Sequence, residues 1–102
     1  GLVFPLLDKN NQIVNFFAVR IDLDSPKEEY LKQEGIYPAY PSPLTKKLYI
    51  VPTVMDCASL IQSKVLGNQE AVMALHNGEV LTQHLEIIKG LQNLDEVVII
   101  KR

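Results

Sequence analysis

Three closely spaced prolines constrain this chain more than any other feature of its sequence. The segment YPAYPSP, from Tyr37 to Pro43, cannot form a regular helix, because each proline lacks an N–H donor and restricts the residue before it. We predict an extended connector here, between two unequal parts of the 102-residue chain. The first part covers residues 1–43 and includes the connector, and the second covers residues 44–102.

The first part predicts a β-hairpin followed by a short helix. The polar run from Asp8 to Gln12 separates two apolar runs, which is typical of a hairpin with a loop of about five residues. Pro5 predicts that the first strand lies at a sheet edge or contains a bulge. Residues 26–34 are predicted to form a helix that Ser25 caps and Gly35 ends.

The second part predicts an α/β fold, in which strands and helices alternate. The predicted elements are strands at Lys47–Val51, Glu70–Leu75 and Glu96–Ile100, with helices at 55–66 and after a capping Thr82. This β-α-β-α-β order predicts a parallel sheet with right-handed crossovers. The second helix is expected to turn Leu85, Ile88 and Leu91 inward. The apolar run of the last strand is typical of a strand buried on both faces.

Composition excludes several classes of protein. With Cys57 as the only cysteine, the chain cannot be a disulfide scaffold or a cysteine-rich zinc protein. No apolar run approaches the ~20 residues of a membrane-spanning helix. The formal net charge of −2 argues against one large basic patch for nucleic acid. The single unpaired cysteine predicts a cytoplasmic location, and the initial Gly1 predicts a processed product or a domain fragment.

Asp56 is the best-placed carboxylate for a ligand site. It follows a predicted strand and begins a helix, and open α/β sheets bind ligands at the carboxyl ends of their strands. As a magnesium ligand it would need a second carboxylate or a substrate phosphate, and the sequence identifies neither. The favoured interpretation is therefore that Asp56 caps the helix.

The other candidates for chemistry have simpler structural explanations. His76 and His84 lack a convergent carboxylate, so we expect ordinary surface or capping histidines. Cys57 lies on the apolar face of a predicted helix and is expected to be a core residue. Four tyrosines surround the connector and could stack on nucleic-acid bases, although anchoring the connector is the favoured role: Tyr30, Tyr37, Tyr40 and Tyr49.

Three stretches, in order, resemble the RNA-polymerase/Toprim catalytic core of bacterial-type DNA primases. The opening FPLLDKNNQIVNFFAVR resembles the hairpin that begins this core, with matches at Phe4, Pro5, Asp8, Val14, Phe16 and Arg20. Asn11 and Asn15 stand where the family usually has glycine. The stretch LYIVPTVMDCASLIQ is similar to the Toprim strand that leads to E-G-x-x-D, and ALHNGEVLTQHLEIIKGLQNLDEVVII resembles the next unit.

The chain departs from the family at the metal-binding positions. Pro52 and Thr53 stand where the E-G-x-x-D motif has glutamate and glycine, and only Asp56 matches. The last strand should lead to the first aspartate of the family's D-x-D motif at about Arg102, which is basic. In the family these carboxylates hold magnesium for nucleotidyl transfer. The resemblance therefore implies a degenerate active site, in which Asp56 is the remaining candidate for a catalytic or metal-binding residue.

The resemblance implies a small hairpin-plus-helix subdomain on a Toprim-like parallel sheet. It implies a non-catalytic domain of a primase-related DNA replication protein, without a cofactor, in a structural or nucleic-acid-contact role. Arg20, Lys46 and Lys47 are the predicted phosphate contacts, with solvated surface charge as the alternative. The alternative function is a magnesium-dependent primase core, for RNA primer synthesis, that residues outside this chain complete.

The expected partners follow from the same resemblance. They are DNA or RNA and other replication proteins, with no membrane. We also expect dimerisation through the truncated edge of the sheet, because an uncovered last strand leaves unpaired backbone groups.

Overall fold

The computed structural model describes residues 2–21, 26–30 and 32–101. In chain order, its elements are β1 (Leu2–Leu7), β2 (Ile13–Ile21), β3 (Pro26–Tyr30), β4 (Lys47–Val51), α1 (Val54–Gln62), β5 (Glu70–Ala74), α2 (Thr82–Gly90) and β6 (Glu96–Ile99). They form a mixed α/β fold with an antiparallel sheet, β1-β2-β3, and a parallel sheet, β5-β4-β6. Within the described ranges, no helix is long and apolar enough to cross a membrane.

The predicted hairpin is confirmed between β1 and β2. Asp8 organises its loop, since Oδ1 accepts hydrogen bonds from the backbone N–H groups of Asn10 at 2.8 Å and Gln12 at 3.0 Å. Asn11 has a φ of +61°, in the left-handed region that glycine and asparagine tolerate best. Pro5 lies in β1, which is an edge strand as predicted.

The predicted helix over residues 26–34 is wrong, because Pro26–Tyr30 is strand β3 and pairs antiparallel with β2. The buried side chain of Asn15 holds the residues that follow. Its Nδ2 donates to the carbonyls of Lys32 at 2.6 Å and Glu34 at 2.9 Å, and its Oδ1 accepts from the Lys32 N–H at 3.0 Å. These bonds satisfy backbone groups that a helix would otherwise have to pair. The predicted cap, Ser25, lies outside the described residues.

Gly35 does not end a helix but lets the chain pass close to β1. Its φ is +86°, and a Cβ atom at this position would lie 2.8 Å from the Cβ of Leu6. The next residue, Ile36, forms a bridge with Leu7 and is fully buried. A residue with a side chain at position 35 would therefore meet both a steric clash and an unfavourable backbone conformation.

The parallel sheet has a core cluster on each face, because successive side chains of a strand point to opposite sides. One cluster combines this sheet and α1 with the antiparallel sheet, through Leu6, Phe17, Val19, Val51, Val54, Cys57, Val72 and Ala74. The other lies on the α2 side and contains Ile36, Leu48, Ile50, Met73, Ile87 and Leu91. The two helices therefore cover opposite faces of the sheet.

Both predicted helices exist, with corrected bounds and faces. α1 ends at Gln62 rather than at residue 66, and Ile61 and Val65, which the helical spacing placed on the apolar face, are exposed. The N-cap residue of α2 is Leu81, whereas Thr82, the predicted cap, is the first residue of the helix. It turns His84 and Ile87 inward, whereas Leu85 is exposed.

Strand β6 contradicts the expectation of burial on both faces. Val97 is 39% exposed and Ile99 is 64% exposed. In the described part of the chain β6 pairs with β4 alone. Val97 and Ile99 are in register with Leu48 and Ile50, on the face of the sheet that α2 covers, but they do not belong to the core cluster under that helix. An apolar strand at the edge of a sheet stays exposed when no helix lies over it.

Candidate functional site

A crevice lies at the carboxyl ends of β4 and β6. Strand β4 is central: β5, the next strand of this sheet along the chain, pairs on one side of it, and β6 pairs on the other side. The order of the strands therefore reverses between β4 and β6. Ligands of open α/β sheets bind at such a position. The crevice has a volume of about 350 Å³ and is lined by Pro52, Asp56, Ser59, Leu60, Ser63, Ile100 and Lys101.

Thr53, not Asp56, is the N-cap residue of α1. Its Oγ1 accepts a hydrogen bond from the Asp56 backbone N–H at 3.1 Å and donates one to Asp56 Oδ2 at 2.8 Å. The favoured interpretation of Asp56 as the cap is therefore wrong, although its carboxylate does lie in the first turn, where the helix dipole favours negative charge. The sequence T-V-M-D carries the signal, since a threonine followed three residues later by an acidic residue resembles a capping box.

The residues that line the crevice do not fit a magnesium ion. Asp56 is their one carboxylate, and Lys101 brings a positive charge to the same crevice. Magnesium needs further oxygen ligands, usually including a second carboxylate or a phosphate. Within residues 2–21, 26–30 and 32–101, no three His, Cys, Asp or Glu side chains are arranged to hold a metal. Arg102, the other basic residue expected here, lies outside the described residues.

A second hollow of about 240 Å³ shares this edge of the sheet and is lined in part by Pro52, Gly78 and Lys101. Gly78 has a φ of +82°. Its N–H donates to the Pro52 carbonyl at 2.8 Å. The glycine therefore closes the loop after β5 onto the end of β4, and its N–H is occupied within the fold rather than turned to a phosphate.

The predicted phosphate contacts do not join Asp56 in one site. Lys46 and Lys47 lie at the amino end of β4, and Asp56 follows its carboxyl end. Lys47 Nζ lies 3.9 Å from Glu96 Oε1 and 5.1 Å from the centre of the Tyr49 ring. A hydrogen bond with Tyr49 and the charge of Glu96 raise the pKa of Lys47, so it remains a cation. Lys46 is exposed.

Arg20 lies in β2, where its backbone pairs with Lys27. Its side chain is outside the part of the molecule that the structure describes. The predicted grouping of Arg20 with the two lysines of β4 therefore stays a prediction.

A polar hollow lies beside Lys46 at the amino edge of the parallel sheet. Its volume is about 570 Å³, and it is lined by Ser42, Leu44, Thr45, Asn68, Gln69, Glu70 and Ala71. The Lys46 backbone N–H donates to the Gln69 carbonyl at 2.8 Å, so the lysine adjoins this lining. Hydroxyl and amide side chains next to a lysine are groups that bind phosphate and sugar oxygens.

Two buried histidines were missed by sequence reasoning, which expected surface or capping residues. The rings of Tyr30 and His76 stack in parallel with centroids 4.3 Å apart, and those of His76 and His84 meet edge-on at 5.7 Å. The capping role of His84 is confirmed, since its Nδ1 accepts from the Leu81 N–H at 2.8 Å. Its Nε2–H donates to the Ala74 carbonyl at 3.2 Å. The signal for this role is the position of His84, three residues after the N-cap residue.

Burial keeps both histidines neutral. Desolvation, with a smaller contribution from neighbouring His76, lowers the pKa of His84 to about 4. Desolvation also lowers the pKa of His76. His76 Nε2 lies 3.2 Å from the Gly35 carbonyl and donates to it, and its buried Nδ1 has no hydrogen-bond partner within the described residues. The pair joins the end of β5 to α2 and to the segment that follows β3.

Cys57 is a core residue, as predicted. It is fully buried, and desolvation raises the pKa of its thiol to about 12. Such a thiol is too weakly acidic for a nucleophilic role. Tyr37 of the connector packs edge-on against Phe4, with ring centroids 5.7 Å apart. This contact fits the predicted anchoring of the connector.

Comparisons with known protein families, curated proteins and solved structures found no match to this chain. The resemblance to primases thus depends on the residues of the chain itself.

Proposed function

We propose that this chain is a non-catalytic, Toprim-like domain of a primase-related DNA replication protein that contacts nucleic acid. Support comes from the three family-like stretches, which coincide with the β1–β2 hairpin, with β4 and α1, and with the end of β5, α2 and β6. The proposal requires no bound metal. It also implies a cytoplasmic protein, in agreement with a single, buried and reduced cysteine.

The observation that carries the non-catalytic part is the charge of the crevice. The crevice at the edge that would hold magnesium in a Toprim enzyme is lined by one carboxylate, Asp56, which accepts a hydrogen bond from Thr53. It also has the ammonium group of Lys101. A cation next to a lone carboxylate weakens the attraction of the site for a divalent ion.

The amino edge of the parallel sheet supports the nucleic-acid contact. Lys46 is exposed beside the polar hollow, and Lys47 follows it at the start of β4. Two cations at the same edge as hydroxyl and amide groups suit the backbone of a single strand, which carries one phosphate per nucleotide, and they outnumber the one carboxylate that lines the hollow, that of Glu70. We assign the phosphate contacts to these two lysines and to Arg20.

The test is fluorescence anisotropy of a labelled single-stranded oligonucleotide over a series of salt concentrations. We expect weak binding at low salt that falls as salt increases. The double variant Lys46→Ala/Lys47→Ala should bind more weakly at low salt. The slope of log affinity against log salt should fall by about 0.7 for each phosphate that the variant no longer neutralises.

Lys9→Ala is the control for Lys46→Ala alone, because each of these variants removes one positive charge from an exposed residue, and Lys9 lies in the β1–β2 turn. It should leave the slope close to that of the parent chain. If the parent chain does not bind at low salt, or if Lys9→Ala weakens binding as much as Lys46→Ala, the nucleic-acid contact is wrong.

A magnesium-dependent primase core is the second candidate, favoured by the position of Asp56 at the carboxyl edge of the sheet. It requires carboxylates from outside the described residues. Isothermal titration of the chain with magnesium and a nucleotide separates the two proposals. Binding that is lost in Asp56→Asn, but kept in the exposed control Glu86→Gln, would support the second candidate and contradict the first.

A further inference from the structure

Among residues 2–21, 26–30 and 32–101, β6 pairs on one side only, with β4, and its other edge carries apolar side chains. The N–H groups of Asp95 and Glu96 both donate to the Lys46 carbonyl, at 2.7 and 3.1 Å, and the Ile100 N–H donates to the Ile50 carbonyl at 2.9 Å. Because backbone groups alternate along a strand, those of Val97 and Ile99 point away from β4. The same two residues have exposed side chains. A strand edge of this kind is a template for pairing with another strand.

The sequence around this edge is complementary to itself. It runs Asp95-Glu96-Val97-Val98-Ile99-Ile100-Lys101-Arg102, with acidic residues before four apolar residues and basic residues after them. In an antiparallel pair the start of one strand lies opposite the end of the other. Two copies of this segment therefore bring acid opposite base at both ends and apolar residues together in the middle.

Two-fold symmetry limits the register of such a pair. Both copies would present the same edge. The residues whose backbone groups point away from β4, Val97 and Ile99, must therefore form hydrogen-bonded pairs with the same two residues of the partner. An axis at Val98 pairs Val97 with the partner's Ile99 and Asp95 with the partner's Lys101. An axis at Ile99 instead sets Val97 opposite the partner's Lys101, which leaves an apolar side chain beside a charge. The first register covers both exposed apolar side chains with apolar partners.

We propose that β6 is a homodimer interface, in which two copies of this chain pair antiparallel about a two-fold axis at Val98. The two parallel sheets then form one six-stranded sheet, in the order β5-β4-β6-β6-β4-β5. Leu48 is already in register with Val97. Pairing with a second copy would place the partner's Ile99 next to Val97, so the apolar row on this face of the sheet would continue into the partner. The proposal is independent of the proposed nucleic-acid contact.

Sedimentation equilibrium over a range of chain concentrations is the first test. We expect a monomer–dimer equilibrium in the parent chain. Ile99→Lys should weaken the dimer about tenfold or more, because it places two uncompensated charges in the apolar centre of the interface. Ile99 is largely exposed, so the variant should fold, and its circular dichroism should match that of the parent chain. Val65→Lys, another exposed apolar residue after α1, is the control and should leave dimerisation unchanged.

Cysteine cross-linking tests the register. Val98 would form a non-hydrogen-bonded pair with its own copy on the axis, where Cα atoms lie about 4.5 Å apart and a disulfide can form. Val98→Cys should therefore give a covalent dimer on mild oxidation, whereas Val65→Cys should not. Native Cys57 is buried and should not interfere.

Charge reversal tests the pairing of the strand ends. Asp95→Lys should weaken the dimer severalfold, and the double variant Asp95→Lys/Lys101→Asp should restore it. The proposal is overturned if the parent chain stays monomeric at every concentration, in which case the strand that covers β6 is not a second copy. A dimer that Ile99→Lys leaves intact, or that Val98→Cys does not cross-link, would also overturn it.

Discussion

Strands β5 and β6 flank the same central strand, run parallel to it and are similarly apolar, yet they lie in different environments. Val72, Met73 and Ala74 of β5 are at most 3% exposed, whereas Val97 and Ile99 of β6 are substantially exposed. The difference comes from the elements around them, because α1 packs against β4 and β5 and the cluster below α2 contains Met73. Apolar composition therefore makes a strand suitable for burial, but the neighbouring elements decide whether it is buried.

The carboxyl end of β5 is also held by hydrogen bonds that β6 lacks among the described residues. The Ala74 N–H donates to the Tyr37 carbonyl at 3.1 Å, and the Ala74 carbonyl accepts from His84 at 3.2 Å. β5 is thus tied to the connector and to α2. β6 retains outward-pointing backbone groups, so the two strands should respond differently to substitution, to pH and to association.

The largest expected loss of stability follows from a substitution in β5. Met73→Ala removes a fully buried side chain between β4 and α2 and should lower the free energy of unfolding by about 2–5 kcal/mol. Urea unfolding followed by circular dichroism measures this difference. A loss below about 1 kcal/mol would contradict the distinction between the two strands.

Acidification should weaken the attachment of β5 to α2. His84 has a pKa of about 4 in the folded chain, and an unfolded histidine has one of about 6.5. The unfolded state therefore binds the proton first, and stability falls as the pH is lowered from about 6.5 towards 4. His84 alone accounts for a loss of about 3 kcal/mol at the lower end.

Urea unfolding at pH values between 7.5 and 4.5 tests this expectation. His84→Gln is the comparison, because glutamine at this position can still accept a hydrogen bond from Leu81 but does not titrate. It should be less stable at pH 7 and show a smaller loss on acidification. An equal loss in both proteins would show that His84 is not the group responsible.

A smaller effect is expected at the start of α1, the helix that packs against β4 and β5. Thr53→Ala removes the N-cap hydrogen bond to Asp56 and should cost about 1 kcal/mol of stability. Ser59→Ala, at an exposed position within the same helix, is the control and should change stability by less than about 0.5 kcal/mol. Thermal or urea unfolding of both variants gives the comparison.

The smallest expected loss of stability follows from a substitution in β6. Ile99→Ala should change the stability of the monomer by less than about 0.5 kcal/mol, because the side chain is largely exposed. The measurement needs a low chain concentration, so that dimerisation does not contribute. A loss comparable to that of Met73→Ala would mean that β6 is covered in the monomer.

Much of the fold could be predicted from local signals in the sequence. Turn residues around Asp8 located the hairpin, and short apolar runs located β4, β5 and β6. The helix over residues 26–34 was wrong because a long-range interaction prevailed over local helix signals. Asn15, at least seventeen positions away, supplies hydrogen bonds to the backbone of residues 32–34.

The candidate site could be predicted only in its parts. The position of Asp56 after β4 followed from the order of strand and helix, but its bond to Thr53 depends on the geometry of the helix start. The separation of Asp56 from Lys46 and Lys47 follows from the direction of β4. The burial of His76 and His84 had no sequence signal, because it arises where the end of β5, α2 and the segment before Ile36 meet.

The sequence by itself determined the alternation of strands and helices, the hairpin and the charge pattern of the last strand. These depend on residues close together in the chain, through turn chemistry, apolar periodicity and capping. Only the tertiary structure decided that β5 is covered and β6 is an edge, that two histidines are buried, and that the cations and the carboxylate lie at opposite ends of β4. Those outcomes depend on which distant segments pack together, and burial and the effective strength of a charge are properties of that packing.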